Sequence, residues 1–171
     1  MKDKNNKTVY FLTYGAVIAA IYVALTVTFQ PICFGPVQFR ISEALCILPY
    51  FTPAAVPGVF LGCLLSNLLC GAAGLDIIFG SLATLIGAVG SYALRREKWM
   101  VCLPPILSNT VIIPWVLRFA YGSADLIPFA MLTVGIGEIL AIGVLGNILL
   151  HALERHKGVI FGKCMAAQRR F

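Results

Sequence analysis

Charge is what this sequence has least of. Only 12% of its 171 residues are charged, against 60% apolar, where soluble domains carry about 25% and 45–50%. So thin a polar coat excludes a water-soluble monomer. The shortage is sharpest between Thr8 and Leu94, where Arg40, Glu43 and Asp76 are the only formal charges in 87 residues; such a stretch cannot form a solvated surface and belongs in a bilayer. Acidic residues are the rarer sign, 7 against 13 basic, for a net charge of +6. The basic residues lie at the chain ends and at one internal turn, which leaves no basic face for nucleic acid.

Reactive patterns are missing too. The six cysteines (Cys33, Cys46, Cys63, Cys70, Cys102 and Cys164) form no Cys-x-x-Cys pair, so neither a zinc site nor a disulfide framework follows, and they read as small buried hydrophobes. There is no Gly-x-Ser-x-Gly, no His-Glu-x-x-His and no Walker loop. No catalytic residue, metal site or cofactor is assigned, and the chain reads as something other than an enzyme.

What is there is a series of apolar runs broken by Gly, Pro or charge. They predict an all-α polytopic membrane protein with six helices, over 8–29, 39–52, 54–70, 76–94, 99–118 and 127–152. One integral membrane domain, 1–171, would then comprise an N-terminal tail (1–7), a six-helix bundle (8–153) and a basic C-terminal tail (154–171). Placing both termini in the cytoplasm puts eleven of the thirteen Lys and Arg on the inner side, with Arg40 and Arg118 left near the outer one. The outer side then holds the loops 30–38, 71–75 and 120–126; the proline turn near Pro53 and the basic turn at Arg95 lie inside.

An ionisable or amide side chain within a membrane is costly and is by default a candidate functional group. Arg40, Glu43, Asn67 and Asp76 fall in the outer half of their helices, and Asn109 and Glu138 near mid-depth. Capped by a loop carrying Phe34, Gly35, Pro36 and Gln38, they predict a pocket open to the outside for a small polar solute, with Phe34 or Trp115 to stack on it. A plainer alternative is that Arg40 and Glu43, three apart, neutralise one another, and that the asparagines, Asn147 included, are helix–helix glue. The first helix carries small residues at steps of four, Ala16, Ala20 and Ala24, a smooth stripe suited either to a partner helix or to packing within the bundle.

The run Phe34-Gly-Pro-Val-Gln-Phe-Arg-Ile-Ser-Glu-Ala-Leu45, then Pro53-Ala-Ala-Val-Pro-Gly58 and Asp76-Ile-Ile-Phe-Gly-Ser-Leu-Ala-Thr-Leu85, resembles the QueT family, substrate-binding S components of energy-coupling factor (ECF) transporters. The resemblance implies the six-helix S-component fold in the plasma membrane. It also implies capture of a heterocyclic substrate from outside: a 7-deazaguanine queuosine precursor, queuine or queuosine. The implied partners are a transmembrane coupling subunit, met through Ala16, Ala20 and Ala24, and two cytoplasmic ATPase subunits. Within the pocket, a carboxylate suits the adjacent N–H donors of a guanine-like edge: Glu138 first, Glu43 second. Asn67 or Asn109 would read the carbonyl, Asp76 would pair with an aminomethyl cation, and Arg40 would orient Glu43. An S component for another vitamin or heterocycle and a ligand-free membrane assembly subunit remain the alternatives.

Overall fold

The computed structural model describes residues 2–33 and 39–161, so the expected capping loop, with Phe34, lies outside the described residues. Helix accounts for every regular element among them: α1 (Lys2–Thr28), the short α2 (Gln30–Cys33), a 3-10 helix (Ile41–Tyr50), α3 (Ala55–Leu69), α4 (Gly74–Ala93), a 3-10 turn (Lys98–Met100), α5 (Leu103–Ala120), α6 (Ile127–Glu138), a π-helical segment (Ile139–Gly146) and α7 (Asn147–Ile160). Four stretches are long and apolar enough to cross a bilayer: Lys7–Thr28, Gly74–Ala93, Lys98–Ala120 and the continuous Ile127–Ile160. Ile41–Tyr50 and Ala55–Leu69 are apolar but shorter.

The long helices pack in the order α1, α3, α4, α5, α6, each on the next, and the 3-10 helix lies against α1, α3, α4 and the π segment. Ser42 to Pro49 are all buried, making that helix the central strut. An ordinary α-helix over 39–52 was expected. The 3-10 form rises about 2.0 Å per residue rather than 1.5 Å, so ten residues reach about 20 Å through the bundle. Arg40 caps it in an extended conformation (φ −94°, ψ 101°).

Other ends also move for identifiable reasons. The fifth helix begins at Leu103, not 99, because Pro104 and Pro105 occupy its first turn, where a missing N–H costs nothing. The last helix runs on to Ile160 instead of stopping at 152, and it is tied down there: Lys98 pairs with Glu154, the Tyr14 hydroxyl donates to the Ile160 carbonyl, and Phe161 stacks on Phe51 at 5.0 Å. Asn147, expected as interhelical glue, instead donates within its own helix to the Gly143 carbonyl at 2.6 Å.

Two glycines set the geometry around the site. Gly71, at φ 70°, ends α3 in a left-handed turn, with Ala72 N–H bonded to the Asn67 carbonyl and Gly71 N–H to that of Leu68. This double closure is the Schellman motif, and it turns the chain tightly into α4. Gly62 lets α3 lie directly on α1, since a Cβ there would meet the Tyr22 Cβ at 2.7 Å.

The loop ends sort into two groups. Gln30 reaches the Cys70 carbonyl (3.4 Å) and Tyr121 the Ala73 N–H (3.1 Å), so the 30, 71–75 and 120–126 loops share one end. The contacts of Tyr14, Phe51, Lys98, Glu154 and Phe161 gather the other. Large apolar side chains such as Leu65, Ile78, Leu107, Leu132 and Ile148 face outward, while Arg40, Glu43, Asn67, Asp76, Asn109 and Glu138 are buried. This apolar-out, polar-in pattern is what a lipid solvent selects.

Gly62→Val should force α1 and α3 apart and cost about 1–3 kcal/mol, read as a lowered midpoint of unfolding in detergent.

Candidate functional site

Most of the buried polar residues gather in three neighbouring groups. At the base of the first is Glu43, on the 3-10 strut. Its Oε1 accepts from the Tyr22 hydroxyl of α1 (2.5 Å) and from the Thr84 hydroxyl of α4 (3.3 Å), and its Oε2 from the Cys46 thiol one 3-10 turn on (3.0 Å). Thr84 lies 3.4 Å from the Cys63 sulfur on α3, and Asn67 Nδ2 lies 3.7 Å from the same atom. Cys46 and Cys63 are buried in the core, as expected, and their sulfurs also meet polar groups. Thr26 and Ser42 join the two helices above, 2.7 Å apart.

Toward the loop end lies the second group. Arg40 pairs with Asp76, Nη2 to Oδ2 at 3.5 Å, and the Tyr121 hydroxyl donates to the same oxygen at 3.0 Å. Asn67 Nδ2 donates to the Asp76 main-chain carbonyl at 3.3 Å, a contact made possible by the tight turn at Gly71. Burial, above all, and the adjoining Asp76 carboxylate raise the Tyr121 phenol above its usual range, so it stays a donor. The expected pairing of Arg40 with Glu43 is not what forms. As an extended cap, Arg40 leaves the row of residues three apart and reaches α4, while Glu43 is taken by Tyr22, Thr84 and Cys46.

The third group is on α5 and α6. Asn109 reaches the Glu138 carboxylate, and Glu138 lies within electrostatic range of Glu43 and Arg40. The structure thus brings together Arg40, Glu43, Asn67, Asp76, Asn109 and Glu138. It does not bring in Trp115, which is 45% exposed, stacks on Phe119 at 6.3 Å and lines an apolar groove of about 350 Å³ with Leu75, Phe79 and Val111. Six positions from Asn109 on α5, Trp115 falls on another face of the helix. Ala16, Ala20 and Ala24 are exposed; the face of α1 that packs inside carries Ile18, Ala19 and Tyr22 instead.

One property of the cluster decides its chemistry. Among the described residues, Asn67 Oδ1, Asp76 Oδ1, Asn109 Oδ1 and Glu138 Oε2 are buried without a hydrogen-bond partner. Native interiors leave few such atoms, and each costs about 1–3 kcal/mol when unsatisfied. All four are acceptors. Acceptors of this kind are suited to N–H or O–H donors.

Sequence reasoning missed Tyr22, Thr84 and Tyr121 as members of the site. A signal existed for the first two: Tyr22 and Thr26 sit four apart amid apolar residues, and Asp76, Gly80 and Thr84 form a polar and small stripe at helical spacing. Tyr121 reads equally well as an interfacial anchor.

Among known proteins, the family described as QueT transporter matches residues 12–155 of this chain. A curated relative, the Queuosine precursor transporter QueT of Lactococcus lactis subsp. cremoris (strain MG1363), is 40% identical over 85 residues, which is 48% of this chain and 49% of that protein. The match therefore spans about half the length of the curated relative. No solved structure matches.

Tyr22→Phe removes a buried donor from a carboxylate and should destabilise the fold by about 1.5–3 kcal/mol, the usual range for a hydrogen bond to a charged group; Thr84→Ala, which removes a longer bond, should cost less. Equilibrium unfolding in detergent compares the two.

Proposed function

The chain belongs to the QueT transporter family, and from that premise we propose that it is the substrate-capturing membrane subunit of an ATP-driven importer of the ECF type. Its substrate is a 7-deazaguanine queuosine precursor, queuine or queuosine, taken from outside the cell. The curated relative is named a queuosine precursor transporter, which supports that substrate group. The observation that carries the reading is the set of four open acceptors buried in an apolar bundle: a guanine-like ring offers adjacent N–H donors, and an acyl chain or apolar solute offers none.

Glu138 takes the guanine edge. Glu43, whose two oxygens already accept from Tyr22, Thr84 and Cys46, is the weaker choice and acts as a brace. Asn67 and Asn109 turn their open oxygens to ring N–H groups, and Phe34 of the 30–38 loop stacks on the ring. Closure of that loop follows binding, and the partner complex then reorients the loaded subunit.

The two shorter helices complete six crossings. Ile41–Tyr50 reaches about 20 Å as a 3-10 helix and Ala55–Leu69 about 22 Å as an α-helix, lengths that a locally thinned bilayer accommodates. The single membrane domain then has both termini in the cytoplasm of a plasma-membrane protein. Energy comes from two separate ATPase subunits through a transmembrane coupling subunit. The exposed stripe of Ala16, Ala20 and Ala24 supports contact with that subunit, because small residues let helices approach closely.

Two outcomes are expected. A deazaguanine at about 100 times its dissociation constant should stabilise the detergent-purified chain by about 2.7 kcal/mol, with riboflavin and biotin inert; stabilisation by a different heterocycle alone would sink the substrate. Ala20→Leu should keep that ligand-dependent stabilisation and lose co-purification with the coupling subunit, whereas retained co-purification would return the stripe to lipid.

A further inference from the structure

One hydroxyl in the bundle breaks the pattern of its neighbours. Within a spanning helix a serine or threonine has no water to bond and ordinarily donates to a carbonyl three or four positions back. Thr26, Ser81, Thr84 and Thr133 all do so, to Tyr22, Ile77, Gly80 and Ala130. Thr110 could do the same to Ile106 and does not. Its Oγ1 is buried without a partner, the kind of atom a native interior rarely leaves unmatched.

What that hydroxyl faces is a glycine. A Cβ built on Gly135 of α6 would stand 3.5 Å from Thr110 Oγ1 and 3.4 Å from its Cγ2, so α6 carries no side chain where the hydroxyl of α5 meets it. The two positions adjoin the third polar group. Thr110 directly follows Asn109, which reaches the Glu138 carboxylate, and Gly135 lies one helical turn before Glu138. An open hydroxyl and an open carboxylate oxygen therefore share the α5–α6 seam.

Thr110 also differs in kind from the other open atoms. Asn67 Oδ1, Asp76 Oδ1, Asn109 Oδ1 and Glu138 Oε2 are acceptors, while a hydroxyl can donate. The amide nitrogens are engaged: Asn67 Nδ2 is held by the Asp76 carbonyl and the Cys63 sulfur, and Asn109 turns to Glu138. A guanine-like ring presents a carbonyl oxygen beside the N–H donors that suit a carboxylate. Thr110 supplies the donor which that oxygen lacks.

We propose that, on the capture reading above, Thr110 is a specificity-determining residue: its hydroxyl donates to the ring carbonyl, which reaches it across the gap left by Gly135.

The test uses the full-length purified chain with 7-cyano-7-deazaguanine and its 6-thio analogue, which keeps the N–H donors but offers sulfur, a weak acceptor. Thr110→Val keeps the shape and should weaken the oxo compound about 5- to 10-fold, the scale of one neutral hydrogen bond, while Thr110→Ser stays within about twofold of the parent. The preference for oxo over thio should shrink by a similar factor in Thr110→Val. Without ligand, Thr110→Val should unfold no earlier than the parent, because it removes a hydroxyl that the empty protein leaves unbonded. Gly135→Ala makes only ordinary van der Waals contacts, so it should fold, and its methyl should cover the hydroxyl and weaken the oxo compound at least fivefold. Undiminished binding by Thr110→Val or by Gly135→Ala overturns the inference and leaves deazaguanine capture standing. A lowered unfolding midpoint in ligand-free Thr110→Val makes the hydroxyl structural and overturns it too. An unchanged oxo-to-thio ratio overturns the assignment to the carbonyl. Failure of the parent chain to bind either compound overturns the capture reading and this inference with it. Should Thr110→Val fail to fold, Gly135→Ala decides.

Discussion

The polar cluster in this bundle rests on one buried carboxylate that the protein satisfies by itself. Glu43 accepts from α1 through Tyr22, from α4 through Thr84 and from its own helix through Cys46. In hydrocarbon there is no water to make up a missing donor, so the three elements are held in register by the cost of leaving that carboxylate short. The register has consequences on both sides. It fixes the 3-10 strut so that Arg40 emerges at its head toward Asp76, and it sets α4 so that the Asp76, Gly80 and Thr84 face turns inward. The satisfied carboxylate is the foundation, and the unsatisfied ones stand on it.

The contrast between the two kinds of buried acceptor separates structure from function. Stability alone would favour satisfying every polar atom or replacing it with an apolar one. Asn67, Asp76, Asn109 and Glu138 each keep an oxygen open instead, in a bundle whose outward surface is dominated by leucine, isoleucine and valine. On the proposed reading such open acceptors have a use, because a donor-bearing solute would satisfy them.

Much of this was legible in the sequence, for a physical reason: charge is so scarce that each ionisable residue stands out. Arg40, Glu43, Asn67, Asp76, Asn109 and Glu138 were found by that scarcity, and the structure clusters all six. Partnering was not legible. Arg40 and Glu43 sit three apart, which reads as an ion pair on any helix, and only the extended backbone of the capping residue diverts Arg40 to Asp76. Tyr22 and Thr84 carry no charge, so they hide among the many hydroxyl-bearing residues of an apolar chain. The placement of Trp115 was not legible either: aromatic residues serve lipid contact and ligand stacking equally well, and a composition cannot say which face of α5 is turned inward. The conformation of the strut was hidden too, since a short buried segment has no amphipathic period to read.

The π-helical stretch Ile139–Gly146 lies between Glu138 and the seam where Glu154 meets Lys98 and Phe161 meets Phe51. Each π turn takes in more chain than an α turn, so this stretch sets the angular phase between the two halves of a 34-residue helix. An α-helix turns about 100° per residue, and the loss of one residue from the stretch would swing everything beyond it by about that angle. Glu138 could still face the cluster, but Glu154 and Phe161 would then face the wrong neighbours. The outward-facing residues of Ile139–Gly146 can change within the apolar alphabet while Ala141, Ile142 and Gly146 stay packed inside, and the length cannot change: the segment works as a spacer whose information is a count of residues.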